Sequence, residues 1–120
     1  MRTFDFIAIN ASDAVSQTSV AFDTQNIFRI SALAVFGDAT AAGSIKLQAS
    51  NDFLNASPTS QGSFVPTNWV DIPSATATVT AGAKTLIPAT EIAYRYVRIV
   101  FTQTTPGSTT VVVNVHGMGN

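Results

Sequence analysis

The sequence contains no cysteine, and only 11% of its 120 residues carry a charge, against about 25% in a typical globular protein. The absence of cysteine excludes disulfide bonds and thiolate metal sites. Ser, Thr, Ala, Asn and Gln replace the missing charge, while 46% of the residues are hydrophobic. Abundant Thr and Val with little charge favour half-buried β-strands over helices. Low charge is also typical of surfaces that are buried against neighbouring proteins.

The chain has no basic run, and its six Lys and Arg residues and seven Asp and Glu residues give a net charge of −1. Neutralising a series of phosphates requires clustered basic side chains, so we expect neither nucleic acid nor a membrane as a partner. No apolar run approaches the ~20 residues of a membrane span. Asp5 interrupts the short apolar stretch after Arg2, which argues against a signal peptide. We therefore expect a protein that is made soluble in the cytoplasm of its host cell.

Residue sets for catalysis or for metal binding are also missing. His116 is the single histidine, and neither a Gly-x-Ser-x-Gly elbow nor a cysteine nucleophile accompanies it. A hydrolytic role would need His116 in a cleft beside a carboxylate, and we favour a structural role. A metal could bind only through oxygen ligands, for which Asn51 and Asp52 are the nearest candidates. An Asx turn explains these two residues better, so we predict no enzyme, no metal and no cofactor.

What the chain does contain is a series of short β-prone runs, separated by clusters of Gly, Pro, Asn, Asp and Ser. Residues 27–36 are largely apolar on both faces, which indicates a central strand with much of each face covered. Pro73 and Pro88 should each end a strand, and the Gly-rich residues 117–120 should be either loose or held only by a neighbour. The spacing predicts one all-β domain over residues 1–120, an antiparallel β-sandwich or jelly roll of about eight strands. The predicted strands are residues 3–10, 15–22, 27–36, 44–50, 69–72, 75–80, 85–87, 93–102 and 109–116.

Apolar residues in a long polar stretch are the first candidate binding residues. Residues 51–68 form the longest irregular segment, and loops of such length are often functional. Phe53, Leu54 and Phe64 lie inside it with no strand to account for them. Such residues either anchor a partner protein or fold back and pin their own loop, and both alternatives stay open.

Aromatic residues near the predicted strands are the second set of candidates. Trp69 is the only tryptophan, and we expect it to fill the space between two sheets, with a stacking platform for a sugar ring as the alternative. Tyr94 and Tyr96 share one face of the clearest predicted strand with Arg98, which permits stacking of the arginine on an aromatic ring.

Three segments together resemble the second half of discoidin-type (F5/8 C) jelly-roll domains: IKLQASND at 45–52, NWVDI at 68–72 and YRYVRI at 94–99. In that family a strand runs into a Ser-Asn-Asp turn, a Trp-containing strand follows, and an aromatic-Arg-Tyr-Val-Arg-Ile strand crosses the core. The match covers residues 44–101. The chain is shorter than a full discoidin domain and its first 40 residues lack the opening pattern, so no sugar-binding or calcium-binding residue carries over.

The same segments, continued by VFTQT at 100–104 and the terminal hairpin, are similar to small β-sandwich proteins of tailed-bacteriophage particles. This resemblance covers nearly the whole chain. It implies a non-enzymatic structural protein of the virion, either a capsid decoration (cement) protein or another accessory head or tail protein. Its partners would be major capsid or tail subunits and further copies of itself in a homo-oligomer. The discoidin-like resemblance implies the alternative, a carbohydrate-binding module on a host-recognition fibre in which Trp69, Tyr94 and Tyr96 stack against sugar.

Overall fold

The computed structural model describes residues 2–24, 27–52 and 66–119, and within these ranges the chain forms nine β-strands and no helix. The described residues therefore contain no helix long and apolar enough to cross a membrane. The strands are β1 (Arg2–Ser12), β2 (Gln17–Thr18), β3 (Phe22–Asp23), β4 (Ile27–Phe36), β5 (Ala42–Ser50), β6 (Val70–Val79), β7 (Thr85–Glu91), β8 (Tyr96–Thr105) and β9 (Thr110–Gly119).

The strands form two sheets. Sheet I has the strand order β1-β9-β4-β7, and sheet II has the order β2-β8-β5-β6, with β3 also paired to β8. Every described strand pair is antiparallel. The prediction of an all-β antiparallel β-sandwich is confirmed.

The core lies between the inner faces of the two sheets and follows from the two-residue period of a strand. On β9, Val113 is buried while Asn114 beside it is exposed. The rings of Phe36 and Phe101 meet between the sheets with their centroids 5.6 Å apart. The same alternation continues along the central strands, whose fully buried side chains include Ile30, Ile45, Leu47, Val97, Ile99, Phe101, Val111, Val113 and Val115.

β4 occupies the predicted central position, between β9 and β7. Ile30 and Ala32 on its inner face are buried, whereas Leu33 on the other face keeps 36% of its surface exposed. An irregularity in the pairing with β9 between Ile27 and Arg29 lets Ile27 be buried and leaves Phe28 exposed. The prediction that much of each face is covered holds for the inner face and only in part for the outer face, because no second layer of the described residues packs there.

Two prolines lie inside strands, at points where the sequence predicted strand ends. Pro73 belongs to β6 and Pro88 to β7. Both strands are sheet edges, and an edge tolerates proline because one side of the strand has no neighbour that needs its N–H. The pairing of β6 with β5 shifts register between Lys46 and Gln48, and Ser74 takes a positive φ of 64°. The two prolines therefore remove an N–H donor from each edge strand without ending the strand.

Two further expectations are corrected by the structure. Residues 15–22 form no continuous strand: β2 and β3 are two residues each, and Ser19 between them ties the chain to β8. Its N–H donates to the carbonyl of Ile99 at 2.9 Å, and its Oγ accepts the N–H of Ile99 at 2.8 Å. The Gly-rich residues 117–119 are not loose, because they extend β9 and pair with β1 on one side and β4 on the other.

Carboxylates fasten the β8–β9 hairpin to the loops at one end of the sandwich. Asp38 Oδ2 accepts the backbone N–H of Ser108 at 2.6 Å, and its Oδ1 accepts the N–H of Thr40 at 3.1 Å. These hydrogen bonds hold the pKa of the Asp38 carboxyl well below its usual range. Asp13 is fully buried, and its Oδ1 accepts the N–H of Thr109 at 3.0 Å. Side-chain-to-backbone hydrogen bonds therefore hold the loops and the β8–β9 hairpin together at this end of the sandwich.

Candidate functional site

The predicted anchors Phe53, Leu54 and Phe64 lie outside the described residues, so their role stays a prediction. The described base of their segment is held by Asp52. Its Oδ2 accepts the backbone N–H groups of Thr67 and Asn68 at 2.8 and 2.9 Å. The Asn68 side chain, which donates to Oδ1, lowers the pKa of the Asp52 carboxyl most, and the two backbone bonds lower it further.

The Asp52 carboxylate therefore makes its described hydrogen bonds to residues that are distant in sequence. It bridges to backbone 15 and 16 residues further along the chain, so it fixes the two ends of the segment side by side. Asn51 does the same toward another loop, since its Oδ1 accepts the N–H of Arg95 at 3.0 Å. No group of three or more His, Asp or Glu residues that could hold a metal occurs among the described residues.

Trp69 lies on the outer face of sheet II, and the expectation that it fills the core was wrong. It is half-buried, and the guanidinium of Arg98 lies 4.3 Å from the centroid of its ring. Its indole N–H donates to the carbonyl of Pro66 at 3.1 Å, which fixes the plane of the ring. Arg98 faces outward because its β8 neighbours Val97 and Ile99 take the inward positions. The arginine–aromatic stack expected on this face forms with Trp69.

A polar relay across three strands positions the Arg98 guanidinium. Arg98 Nε donates to Gln48 Oε1 at 2.8 Å, and Gln48 Nε2 donates to Asp71 Oδ1 at 2.9 Å. Lys46 Nζ lies 3.2 Å from the other Asp71 oxygen. The bond from Gln48, and then the one from Lys46, lower the pKa of the Asp71 carboxyl, whereas burial lowers the pKa of Arg98. The guanidinium is thus held in one orientation by its Nε side and by stacking.

The structure brings two of the three predicted stacking residues together. Trp69 and Tyr96 line one concavity of about 320 Å³ on sheet II, with Arg98 and Ser19. Tyr94 precedes β8, packs in part against the core and lines different surface depressions. The expectation that Tyr94 shares the face of Tyr96 and Arg98 was therefore wrong, because the strand begins only at Tyr96.

A second concavity, of about 400 Å³, lies on the outer face of sheet I. His116 Nδ1 lies 2.6 Å from Asp5 Oδ1 across the β1–β9 pair, and Ser31 is opposite His116 in the β4–β9 register. Exposed apolar side chains line the rest of the depression, among them Ile7 at 58% and Leu86 at 57% exposure. We call the exposed apolar set Ile7, Leu33 and Leu86 the sheet I patch.

The Asp5–His116–Ser31 row meets only part of what hydrolysis needs. A carboxylate orients the imidazole, but Ser31 donates no hydrogen bond to it within the described part of the chain. The backbone N–H groups of β9 and β4 lie in strands that are paired on both sides, so an oxyanion here could be stabilised only by a side chain such as Asn114, which lines the same concavity. The described residues of the row include no activated nucleophile, and the prediction that the protein is no enzyme stays a prediction.

The four edges of the two sheets differ in how well they are protected. β6 and β7 each contain a proline, and β2 and β3 are two residues long. β1 is 11 residues long and contains neither proline nor glycine. In the described part of the chain it forms a strand pair with β9 alone, with a single irregularity between Ile7 and Ile9. It also borders the sheet I patch, to which it contributes Ile7.

The Asp5–His116 contact and the sheet I patch were not predicted from the sequence, because both depend on strand order. Asp5 and His116 are 111 residues apart, and their contact follows only once β1 is paired with β9 in the observed register. In the structure, Leu33 and Leu86 alternate with buried neighbours along β4 and β7. What the sequence does not state is that Ile7, Leu33 and Leu86 lie on one uncovered face.

No protein-family model and no curated protein matches the chain. Among solved structures, PBSX exported protein XepA has a TM-score of 0.70 and 16% identity over 98% of this chain. SPBc2 prophage-derived protein YomS has a TM-score of 0.59 and 12% identity over 97% of it. This chain spans 37% of the length of XepA and 92% of that of YomS. The predicted likeness to discoidin domains over residues 44–101 gains no support from these matches and stays a prediction. At these identities the finding is a shared fold: the chain has a β-sandwich that also occurs in XepA and in YomS.

Proposed function

We propose that this protein is a non-enzymatic structural component of a phage particle, a capsid decoration protein or another accessory head or tail protein. It acts through protein–protein contacts. The shared fold with SPBc2 prophage-derived protein YomS and PBSX exported protein XepA supports the phage context. The observation that carries the proposal is the edge of β1 beside the sheet I patch, which pairs with no second strand among the described residues.

An open strand edge is a ready site for another strand. Its free N–H and C=O groups can pair with an added chain, and natural proteins normally blunt such edges with proline, charge or short length. β6 and β7 contain proline, and β2 and β3 are short, whereas β1 is 11 residues long, contains no proline and has a single irregularity and the charged residues Arg2 and Asp5. A partner strand laid along β1 would continue sheet I across a subunit boundary.

The sheet I patch supplies the apolar part of the same interface. Ile7, Leu33 and Leu86 are 58%, 36% and 57% exposed. Covering apolar surface contributes roughly 25 cal/mol per Å², and interfaces of useful strength bury about 1,200–2,000 Å² in total. A strand along β1 together with a surface on the patch could reach that area. Low overall charge removes much of the repulsion between copies packed on one particle.

We propose further that the first occupant of this edge is a second copy of the chain, and that virion subunits bind the resulting homo-oligomer. Pairing of two β1 strands about a two-fold axis is self-complementary, as closed symmetric oligomers require. Many copies on one particle would add avidity, so each contact with the capsid or tail can be weak.

Light scattering coupled to size-exclusion chromatography tests this interface. The wild-type chain should elute as a defined oligomer, and Ile7→Lys should shift it toward monomer by placing a charge beside the open edge. Val70→Lys is the matched control, because Val70 is 72% exposed on β6 of the other sheet. A monomeric wild-type chain, or equal effects of the two substitutions, would overturn the proposed interface.

A further inference from the structure

The concavity on sheet II presents a charged group that the fold holds in place without neutralising it. Arg98 donates from Nε to Gln48 and stacks on Trp69. Its two Nη atoms make no hydrogen bond or ion pair to any described residue. Asp71, the nearest carboxylate of the relay, bonds Gln48 and Lys46 instead. The guanidinium therefore keeps a full positive charge with its outer donors unused.

This geometry matches a carboxylate. The planar guanidinium fork forms two parallel N–H···O bonds with a carboxylate, and such charge-assisted pairs are stronger than neutral ones. Because Nε is bonded to Gln48 and the guanidinium plane is stacked on Trp69, the two Nη groups are the donors that remain for a ligand. Because the side chain is already fixed, little rotamer entropy remains to be lost when a ligand binds. An apolar ligand would gain nothing from these donors.

The surroundings of Arg98 indicate a ring attached to that carboxylate. Trp69 and Tyr96 line the same concavity, and a volume of about 320 Å³ lies at the small end of sites for small molecules. Aromatic rings beside a few fixed polar groups are typical of such sites. A flat protein surface would engage a wider area than this depression offers. One sugar ring with an acidic substituent fits it better.

We propose that the concavity lined by Ser19, Trp69, Tyr96 and Arg98 binds an acidic sugar, a uronate-type ring whose carboxylate pairs with the Arg98 guanidinium. Trp69 has two functions there: it stacks on the guanidinium and forms an apolar wall for the ring. Gln48 and Asp71 are positioning residues that act through Arg98. The site lies on sheet II, away from β1 and the sheet I patch, so it is independent of the proposed assembly interface.

Titration with D-glucuronate, followed by the fluorescence of the single tryptophan, tests the proposal. We expect a saturable change in Trp69 emission at millimolar glucuronate and none with D-glucose, which has the same ring without the carboxylate. Arg98→Lys keeps the charge but loses the fork, and we expect it to weaken glucuronate binding at least about tenfold. Arg29→Lys is the matched control, since Arg29 lies on β4 of sheet I and does not line the concavity, and this variant should bind glucuronate as the wild type does.

Three results would overturn the proposal. Equal binding of glucose and glucuronate would show that the carboxylate does not contribute to recognition. Acetate binding as tightly as glucuronate would identify a carboxylate site without a sugar, which a protein side chain could fill. The absence of any saturable change up to about 50 mM glucuronate would show no site of this kind. Unfolding midpoints of both arginine variants establish that they are folded, and none of these results bears on the oligomer test of the β1 edge.

Discussion

At the scale of single residues, the turn between β6 and β7 depends on a position that admits no side chain. Gly82 has a positive φ of 69°, and a Cβ there would lie 2.0 Å from the carbonyl oxygen of Asp38. The N–H of Gly82 donates to the carbonyl of Ala41 at 2.7 Å, so the turn cannot move away without losing that bond. Ala81 beside it also has a positive φ, of 50°.

Gly82→Ala should lower the free energy of unfolding by more than about 2 kcal/mol, because left-handed backbone costs roughly 1–2 and forced overpacking about 1–3 kcal/mol. Ala81→Gly is the control, and it should leave stability unchanged or raise it because it relieves a positive φ. Urea unfolding followed by Trp69 fluorescence measures both variants. Small and equal effects would contradict the close approach of this turn to the Asp38 loop.

Asp38 should make stability depend on pH in the acid range. Its pKa is lowered first by the backbone N–H of Ser108 and then by that of Thr40, so folding favours the ionised carboxyl. This contribution is complete above the unfolded pKa of about 3.9 and is lost as the pH falls toward the folded pKa. Asp38→Asn should therefore be less stable than the wild type at pH 7, and the gap should narrow below about pH 4.

Urea midpoints at several pH values between neutral and acid measure that gap. Glu91→Gln is the control, since Glu91 pairs with Arg29 at the surface with side chains 82% and 60% exposed, and such pairs contribute about 0–1 kcal/mol. A gap between Asp38→Asn and the wild type that stays constant down to acid pH would mean that the carboxylate does not hold the hairpin.

The residues of the candidate sites could be predicted only in part. The sequence pointed to Trp69, Tyr96 and Arg98, because aromatic and basic residues alternate near strands, but it placed Trp69 in the core. Whether Trp69 is buried depends on which face of sheet II the segment before β6 crosses. The alternation of residues along the sequence does not determine that face. The Asp5–His116 contact had no local signal, because it follows from pairing of the first strand with the last.

At the scale of strands, the two faces of each sheet should respond differently to the same substitution. Leu47 on β5 is fully buried, whereas Leu86 on β7 is 57% exposed. Leu47→Ala should cost about 2–5 kcal/mol, because it removes packed atoms and leaves a cavity. Leu86→Ala should change the stability of the isolated chain by less than about 0.5 kcal/mol. Thermal or urea unfolding compares them, and similar losses would contradict the assignment of Leu86 to an uncovered face.

Strand content was predictable where alternation was strong. β4 matches the predicted 27–36, and the inward set of β5 was visible as apolar residues every second position. The errors at Pro73 and Pro88 share one cause. Proline excludes a central strand but not an edge strand, and whether a strand is an edge depends on sheet order. Sheet order comes from long-range pairing, which one sequence does not display.

At the scale of the whole molecule, the first and last strands lie side by side in sheet I, and β1 becomes the edge. The outer faces therefore differ in chemistry. Sheet I offers an open strand and apolar side chains, as expected of an assembly surface, whereas sheet II offers a fixed guanidinium between aromatic rings. Under the two proposals, one small sandwich would contact neighbouring subunits on one side and a soluble ligand on the other.

The proposed structural role is tested by quantitative mass spectrometry of density-gradient-purified particles of the phage that encodes this chain. We expect a fixed number of copies per particle, retained through a high-salt wash because the proposed contacts are apolar and backbone-mediated and so little screened. Particles that carry Ile7→Lys should lose the protein, and those with Val70→Lys should keep it. A chain that remains in the lysate and is absent from purified wild-type particles would contradict a structural role in the virion.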